Sequence, residues 1–489
     1  MGGLTIDNED YAMTQMTRTL DSSGCSSDNN SAMIQMGLAV ITALTLLASG
    51  TGELLAQPRF TEEQSTLPDG TFYRMRVPED WNGTLIRDLD YAGRPDNPIG
   101  IYLLEQGYAI AGTRRHALRA FQYDPAREIA NLDLVLDLFE DRWRRPDRVI
   151  QYGCSGGGHV TLGVAENFPD RINGAIALAA HTPVWLMNTF LDGWFTLQTL
   201  IAPDLPIANL PFQSSGGSAH GVEGEIRDAW RQAINEAQAT PEGRARIALA
   251  LTIGQWPAWS TRLVSKPELE DVYSLQHSMY HNAYDRYANN PGGEARIMFE
   301  SAANGQQLSW NTGIDYQELF DNGNESFKTV VRTLYQDAGI DLEADLNRIN
   351  AAPRVEASPH ALAFWDAPGR YATGNPKIPL LRLHEIGDYQ VPMALTQGYN
   401  RLIEENGNTD LYRIAYVESP THCGFNVAEL ATAIEMMTRR LDTGTWGPVN
   451  PESLNDLGES MGTGVTPRFI DNRPYAVRAY NRIWRPNRH

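Results

Sequence analysis

Three short stretches carry residue types suited to acyl-transfer chemistry. The first is Tyr152-Gly153-Cys154-Ser155-Gly156-Gly157-Gly158, which follows the apolar run Val149–Tyr152 and opens a helical stretch continuing from Val160. A G-x-S-x-G pattern between a strand and a helix is a nucleophile elbow. Its turn is so sharp that the flanking positions need glycine, and the serine is pushed to the carboxyl edge of the sheet. The helix amino terminus behind Ser155 favours negative charge, and the Gly156 N–H is one expected oxyanion donor. A phosphate loop would need a lysine after its glycines, and none follows Gly158. The second stretch, His384-Glu385-Ile386-Gly387-Asp388-Tyr389-Gln390-Val391-Pro392, follows another predicted strand. An acid there can hold an imidazole in one tautomer and stabilise its cation; Asp388 is the candidate and Glu385 the alternative. The third is Thr421-His422-Cys423-Gly424-Phe425. Of the ten histidines, only His422 combines a loop position with a place after the acid; packing or substrate contacts suffice for His159, His181 and His384.

Cysteine placement ties two of these stretches together. Cys154 immediately precedes Ser155, and Cys423 immediately follows His422. A serine and its base must approach within hydrogen-bond reach, which brings their neighbours into disulfide range. The pair Cys154 and Cys423 can therefore bond, two buried free thiols being the alternative. The third cysteine, Cys25, falls in a segment read below as a leader.

The elements around these residues alternate between strand and helix. Thr84–Ile86, Tyr108–Gly112, Val149–Tyr152, 175–180 and 378–383 read as strands, while 126–143, 160–168 and 428–441 have helical spacing. This rhythm predicts an α/β fold with a parallel sheet covered on both faces. Serine, acid and base occur in the chain order of an α/β-hydrolase. Between 182 and 375 the rhythm breaks into helical pieces such as 223–239, 241–253 and 326–350, with many large aromatics. That insert is expected to be a mainly helical lid between late strands. The catalytic domain then comprises 57–181 and 376–450, and a Pro-, Arg- and Asn-rich extension, 451–489, is expected to wrap it. The lid aromatics serve mainly as the lid's own core. Asp315, Asp321, Asn324 and Glu325 lack the spacing of a calcium loop and read as a solvated turn, so no metal is expected.

Composition narrows the class of partner. The 489 residues include 60 acids and 40 bases, a formal charge of −20, and no basic cluster offsets it. Such a surface repels phosphate backbones and argues against nucleic-acid binding. With 42% hydrophobic residues the chain has ample material for a core. Residues 1–35 are polar, and Met36–Gly50 is an uncharged run too short to span a bilayer but suited to a signal-peptide core. Residues 1–56 are accordingly read as a leader, cleaved before Gln57, with translation beginning at Met33 or Met36 as one variant. A membrane anchor or a buried helix is the alternative. The expected location is secreted or periplasmic, without stable membrane insertion once the leader is removed.

The Cys154-Ser155, Asp388, His422-Cys423 arrangement resembles the tannase and feruloyl esterase family of secreted α/β-hydrolases. Val77–Leu85 and His422–Glu429 are also similar to segments of bacterial secreted esterases. The resemblance implies hydrolysis of esters of phenolic acids through a serine acyl-enzyme, with no cofactor. Two departures stand out. Asp88-Leu89-Asp90-Tyr91-Ala92-Gly93 replaces the His-Gly of many hydrolases, so the second oxyanion donor is expected at the Tyr91 N–H with Asp90 an unusual acidic neighbour. The calcium pattern of tannase lids is missing. The expectation is a secreted carboxylic-ester hydrolase acting on a small apolar or aromatic ester. The alternatives are an exported serine peptidase, for which Asp90 and Glu385 could receive a substrate amine, and an idle hydrolase fold used for binding.

Overall fold

Short apolar runs broken by Gly, Pro and Asn set the strands of this chain, and the amphipathic stretches between them set the covering helices. A computed structural model describes residues 59–117, 123–208, 224–292 and 296–486. The leader read over residues 1–56 lies outside the described residues. The strands are β1 (Phe60–Thr66), β2 (Phe72–Pro78), β3 (Thr84–Asp88), β4 (Ala109–Thr113), β5 (Arg148–Cys154), β6 (Gly174–Leu178), β7 (Leu380–Glu385), β8 (Tyr412–Val417) and β9 (Phe469–Ile470). They form one sheet in the order β1-β2-β4-β3-β5-β6-β7-β8-β9. From β4 to β8 every pairing is parallel; β1, β2 and β9 are attached antiparallel.

Both faces of the central strands are covered. Along β3 and β5, Leu85 and Val149 pack with Ile129, Leu132 and Val160, from the helices Pro125–Arg142 and Gly156–Asn167. Their neighbours Ile86 and Ile150 pack with Leu103 and Ile434, from the helices Pro98–Glu105 and Val427–Thr443. Each such side chain, fully withdrawn from water, contributes about 1.5–3 kcal/mol. β7 begins two residues later than its apolar run predicts. Pro379 has no N–H to give the ladder and instead accepts from Ala175 N at 2.9 Å. The shift places His384 and Glu385 within the strand and Asp388 in the turn beyond it.

Between β6 and β7 the described chain is helical. The expected helices at 223–239 and 241–253 are found at Gly224–Gln238 and Pro241–Ile253. The single helix read over 326–350 is two, Glu325–Ala338 and Leu342–Ala351. Gly339, in the left-handed region at φ 67°, ends the first, and the Asp341 side chain caps the second. Asp315 and Asn324 are likewise helix caps, accepting from Gln317 N and Phe327 N. The insert has an aromatic core: Trp194 lies 4.9 Å from Trp230 and 5.8 Å from Trp256, which stacks on Tyr287 at 3.9 Å between ring centres. The return to β7 is fastened by the buried Glu166, which accepts from Thr373 N, Thr373 Oγ1, Gly374 N and Tyr399 Oη at 2.7–2.9 Å. After β9 the tail crosses to the insert. Trp185 Nε1 donates to Trp484 O at 3.0 Å, and Arg482 pairs with buried Asp192 at 2.8 Å. No helix among the described residues is long and apolar enough to cross a membrane.

Candidate active site

The elbow after β5 forces Ser155 into a conformation that costs an L-residue on the order of 1–3 kcal/mol. Its φ is 59° and its ψ −117°. Two close approaches allow this. A Cβ on Gly153 would lie 2.6 Å from the Gly157 backbone, and one on Gly158 would lie 2.4 Å from Leu178 O. The strained residue is pinned on both sides, with Ser155 N donating to Leu178 O at 3.0 Å and Ser155 O accepting from His159 N at 2.9 Å. Ser155 thus stands at the amino terminus of the helix Gly156–Asn167, whose first N–H groups have no partners within the helix.

Asp388 is fully buried in the turn after β7. Its Oδ1 accepts from Gln390 N and Val391 N, both at 2.9 Å, and its Oδ2 pairs with His422 Nδ1 at 2.7 Å. That bond assigns the Nδ1 proton to the carboxylate side, which leaves Nε2 of neutral His422 as the basic nitrogen. Glu385, the alternative acid, does different work. Its Oε1 accepts from Gly424 N at 2.5 Å, directly behind the His422-Cys423 pair. Burial, reinforced by the nearby Asp388 charge, pushes its pKa well above the usual carboxylate range.

Cys154 and Cys423 form a disulfide with their Cα atoms 6.2 Å apart. Since consecutive Cα atoms are 3.8 Å apart, the backbones of Ser155 and His422 are held within about 14 Å of each other by this bridge alone. The structure therefore brings the base, its acid partner and the nucleophile's elbow to one end of the sheet.

The loop after β3 supplies the other side of the site. Tyr91–Gly93 forms a single turn behind Asp90, and Tyr91 N lies in the first turn, where backbone donors have no internal acceptor. Asp90 is not an isolated acid. Arg115, just beyond β4, donates from Nε to Asp90 Oδ1 at 2.5 Å and from Nη2 to Asp90 Oδ2 at 2.6 Å. The same Nη2 donates to Cys154 O at 3.3 Å. Arg115 therefore joins the loop after β3 to the elbow. Burial lowers its pKa, but the Asp90 carboxylate more than reverses that, so its charge is fixed. Asp88, half-buried, is pushed up to about 7 by burial and then by Asp90. The sequence reading did not single out Arg115; the arginine pair Arg114-Arg115 at the end of an apolar run was the available signal.

Three further histidines lie near the site. His159 donates from Nε2 to Arg370 O at 3.1 Å and faces Tyr123 Oη across 3.2 Å at Nδ1. His384 donates from Nε2 to Val391 O at 2.8 Å and so helps shape the acid's turn. Burial pulls both imidazoles down to about 4, which keeps them neutral. His181 lies with its ring centre 5.1 Å from that of His159 and 5.5 Å from Phe299.

The strand order, the elbow between β5 and its helix, and the serine–acid–base chain order together define an α/β-hydrolase. No protein-family model matches the chain. Over 442 residues it is 52% identical to o-phthalyl amidase from Xanthobacter agilis, a match covering 87% of this chain and 97% of that protein. The chain belongs to the family of that amidase. Among solved structures, an esterase and feruloyl esterase B, both from Aspergillus oryzae, match at TM-scores of 0.36 with 14% and 13% identity. The first match covers 78% of this chain and 79% of the other, the second 79% and 81%. An acylaminoacyl peptidase from Pyrococcus horikoshii matches at 0.36 with 11% identity, over 80% of this chain and 42% of that one. The sequence relative is an amidase.

Proposed function

We propose that this chain is a serine amidase that cleaves the amide of an aromatic acid bearing a second, ortho carboxyl group, through an acyl-enzyme. The observation that carries the reading is the Asp388–His422 hydrogen bond joined by Cys423–Cys154 to Ser155, in a chain aligned along 97% of an o-phthalyl amidase. Ser155 Oγ attacks the amide carbonyl while His422 Nε2 takes its proton. Gly156 N–H and Tyr91 N–H receive the oxyanion, and Asp388 orients the imidazole and stabilises its cation. The imidazolium returns the proton to the leaving nitrogen, a step an amine requires more than an alkoxide does. Water, activated by His422, then releases the acid. The helices between β6 and β7 act as the cover of this cleft. The disulfide suits an oxidising compartment, which supports export.

Ester cleavage is the second reading, favoured by the Cys154-Ser155 and His422-Cys423 arrangement, which resembles that of feruloyl esterases. Turnover of 2-carboxybenzanilide, its ethyl ester counterpart and a small peptide amide separates the possibilities. The amidase reading expects the anilide to be hydrolysed, and Ser155→Ala to lower that rate by a factor on the order of 10⁴ or more with the fold intact by circular dichroism. An unchanged rate in the variant would refute Ser155 as nucleophile; turnover of the ester alone would shift the assignment to an esterase.

A further inference from the structure

Arg115 joins the loop after β3 to the backbone of the nucleophile elbow. Its guanidinium has five N–H groups. Three are engaged, two by Asp90 and one by Cys154 O, the carbonyl of the residue before the nucleophile. Among the described residues its hydrogen bonds come from Nε and Nη2 and none from Nη1, and the side chain is 23% exposed. The Nη1 edge of this fixed cation is therefore left without an acceptor among the described residues, while its Nη2 holds the carbonyl of the residue before Ser155. An ortho carboxyl occupies the ring carbon next to the one bearing the scissile carbonyl. With that carbonyl over Ser155 and its oxygen on Gly156 and Tyr91, the ortho oxygens lie within a few ångströms of the reacting carbon. The loop carrying Tyr91 also carries Asp90, which holds Arg115, so cation and oxyanion donors are parts of one assembly. Asp90 balances the guanidinium, and the amino-terminal end of the helix Gly156–Asn167 favours the added negative charge.

We propose that Arg115 is the specificity residue of this site, its Nη1 edge receiving the ortho carboxylate of the acyl group. This rests on the amidase reading above and adds to it the group that recognises the substrate. Asp90 is then the positioning residue that fixes the guanidinium plane, which accounts for an acid where many hydrolases have His-Gly.

The test compares kcat/KM on 2-carboxybenzanilide, 4-carboxybenzanilide and benzanilide for the full chain, Arg115→Met and Arg115→Lys. The native protein is expected to prefer the 2-carboxy compound over both others. Arg115→Met is expected to lower that preference by a factor on the order of 10 to 100, the range for a hydrogen-bonded charge, and Arg115→Lys to restore part of it. Rates on all three compounds falling together in Arg115→Met would overturn the proposal and leave Arg115 a purely structural clamp. Native preference retained in Arg115→Met would overturn it as well. Absence of any preference in the native protein would instead reject the ortho-carboxyl reading itself, so the two failures are distinguishable.

Discussion

Asp388 and Glu385 are both buried carboxyls beside one histidine loop, and their partners divide the labour. Three donors converge on Asp388, one of them His422 Nδ1, whereas the Glu385 side chain receives only Gly424 N among the described bonds and burial raises its pKa. Asp388→Asn is expected to lower kcat by about 10³- to 10⁴-fold, because an amide there stabilises the wrong tautomer. Glu385→Gln keeps an acceptor for Gly424 N and is expected to stay within about tenfold of the native rate, the loss expected of a bracing contact. Steady-state kinetics on both variants checks the division; the larger loss in Glu385→Gln would reverse it. The sequence offered both Asp388 and Glu385 as acids in the loop after a late strand, and the structure puts Asp388 against His422 because β7 runs on through Glu385. Arg115 was not legible. Its partner Asp90 is 25 residues away, and two adjacent arginines after a strand look like solvated cations until the fold brings the loops together.

At the scale of elements, the parts that could be read are those whose signal is local. The elbow needs only a strand, two glycines and a helix in succession, and the terminal helix Val427–Thr443 carries its own signals: an Asn426–Glu429 capping box and Gly444 in the left-handed region. β1, by contrast, is FTEEQST, an exposed edge strand whose pairing with β2 supplies what its composition lacks. β9 is two residues long and exists only because β8 offers an edge. The insert aromatics were readable as a core, but their partners come from helices far apart in the chain. The elbow and the base loop are two such distant elements, and the disulfide fixes their separation. Reduction is therefore expected to lower kcat several-fold by letting His422 drift, with two thiols appearing by mass spectrometry. Equal rates in the oxidised and fully reduced protein would remove that role from the bridge.

At the scale of the whole molecule, buried titrating groups pull stability in opposite directions. Native His159 and His384 stay neutral down to about 4 while unfolded imidazoles take a proton near 6.5, so they cost stability as pH falls through that window. Asp88 works the other way: the native carboxyl holds its proton up to about 7 and the unfolded one releases it near 3.8, so stability is lost as pH rises between those values. Asp88→Asn is accordingly expected to gain stability over the native protein on going from pH 4 to pH 8. Urea unfolding at both values checks the sign, and a gain that shrinks with rising pH would contradict it. The two halves of the Cys154–Cys423 bridge are 269 residues apart and flank everything between β6 and β7. A protease that nicks the chain once inside this covalent ring releases no fragment: the nicked protein migrates as a single species until thiol is added, and then parts into one piece bearing Ser155 and another bearing His422.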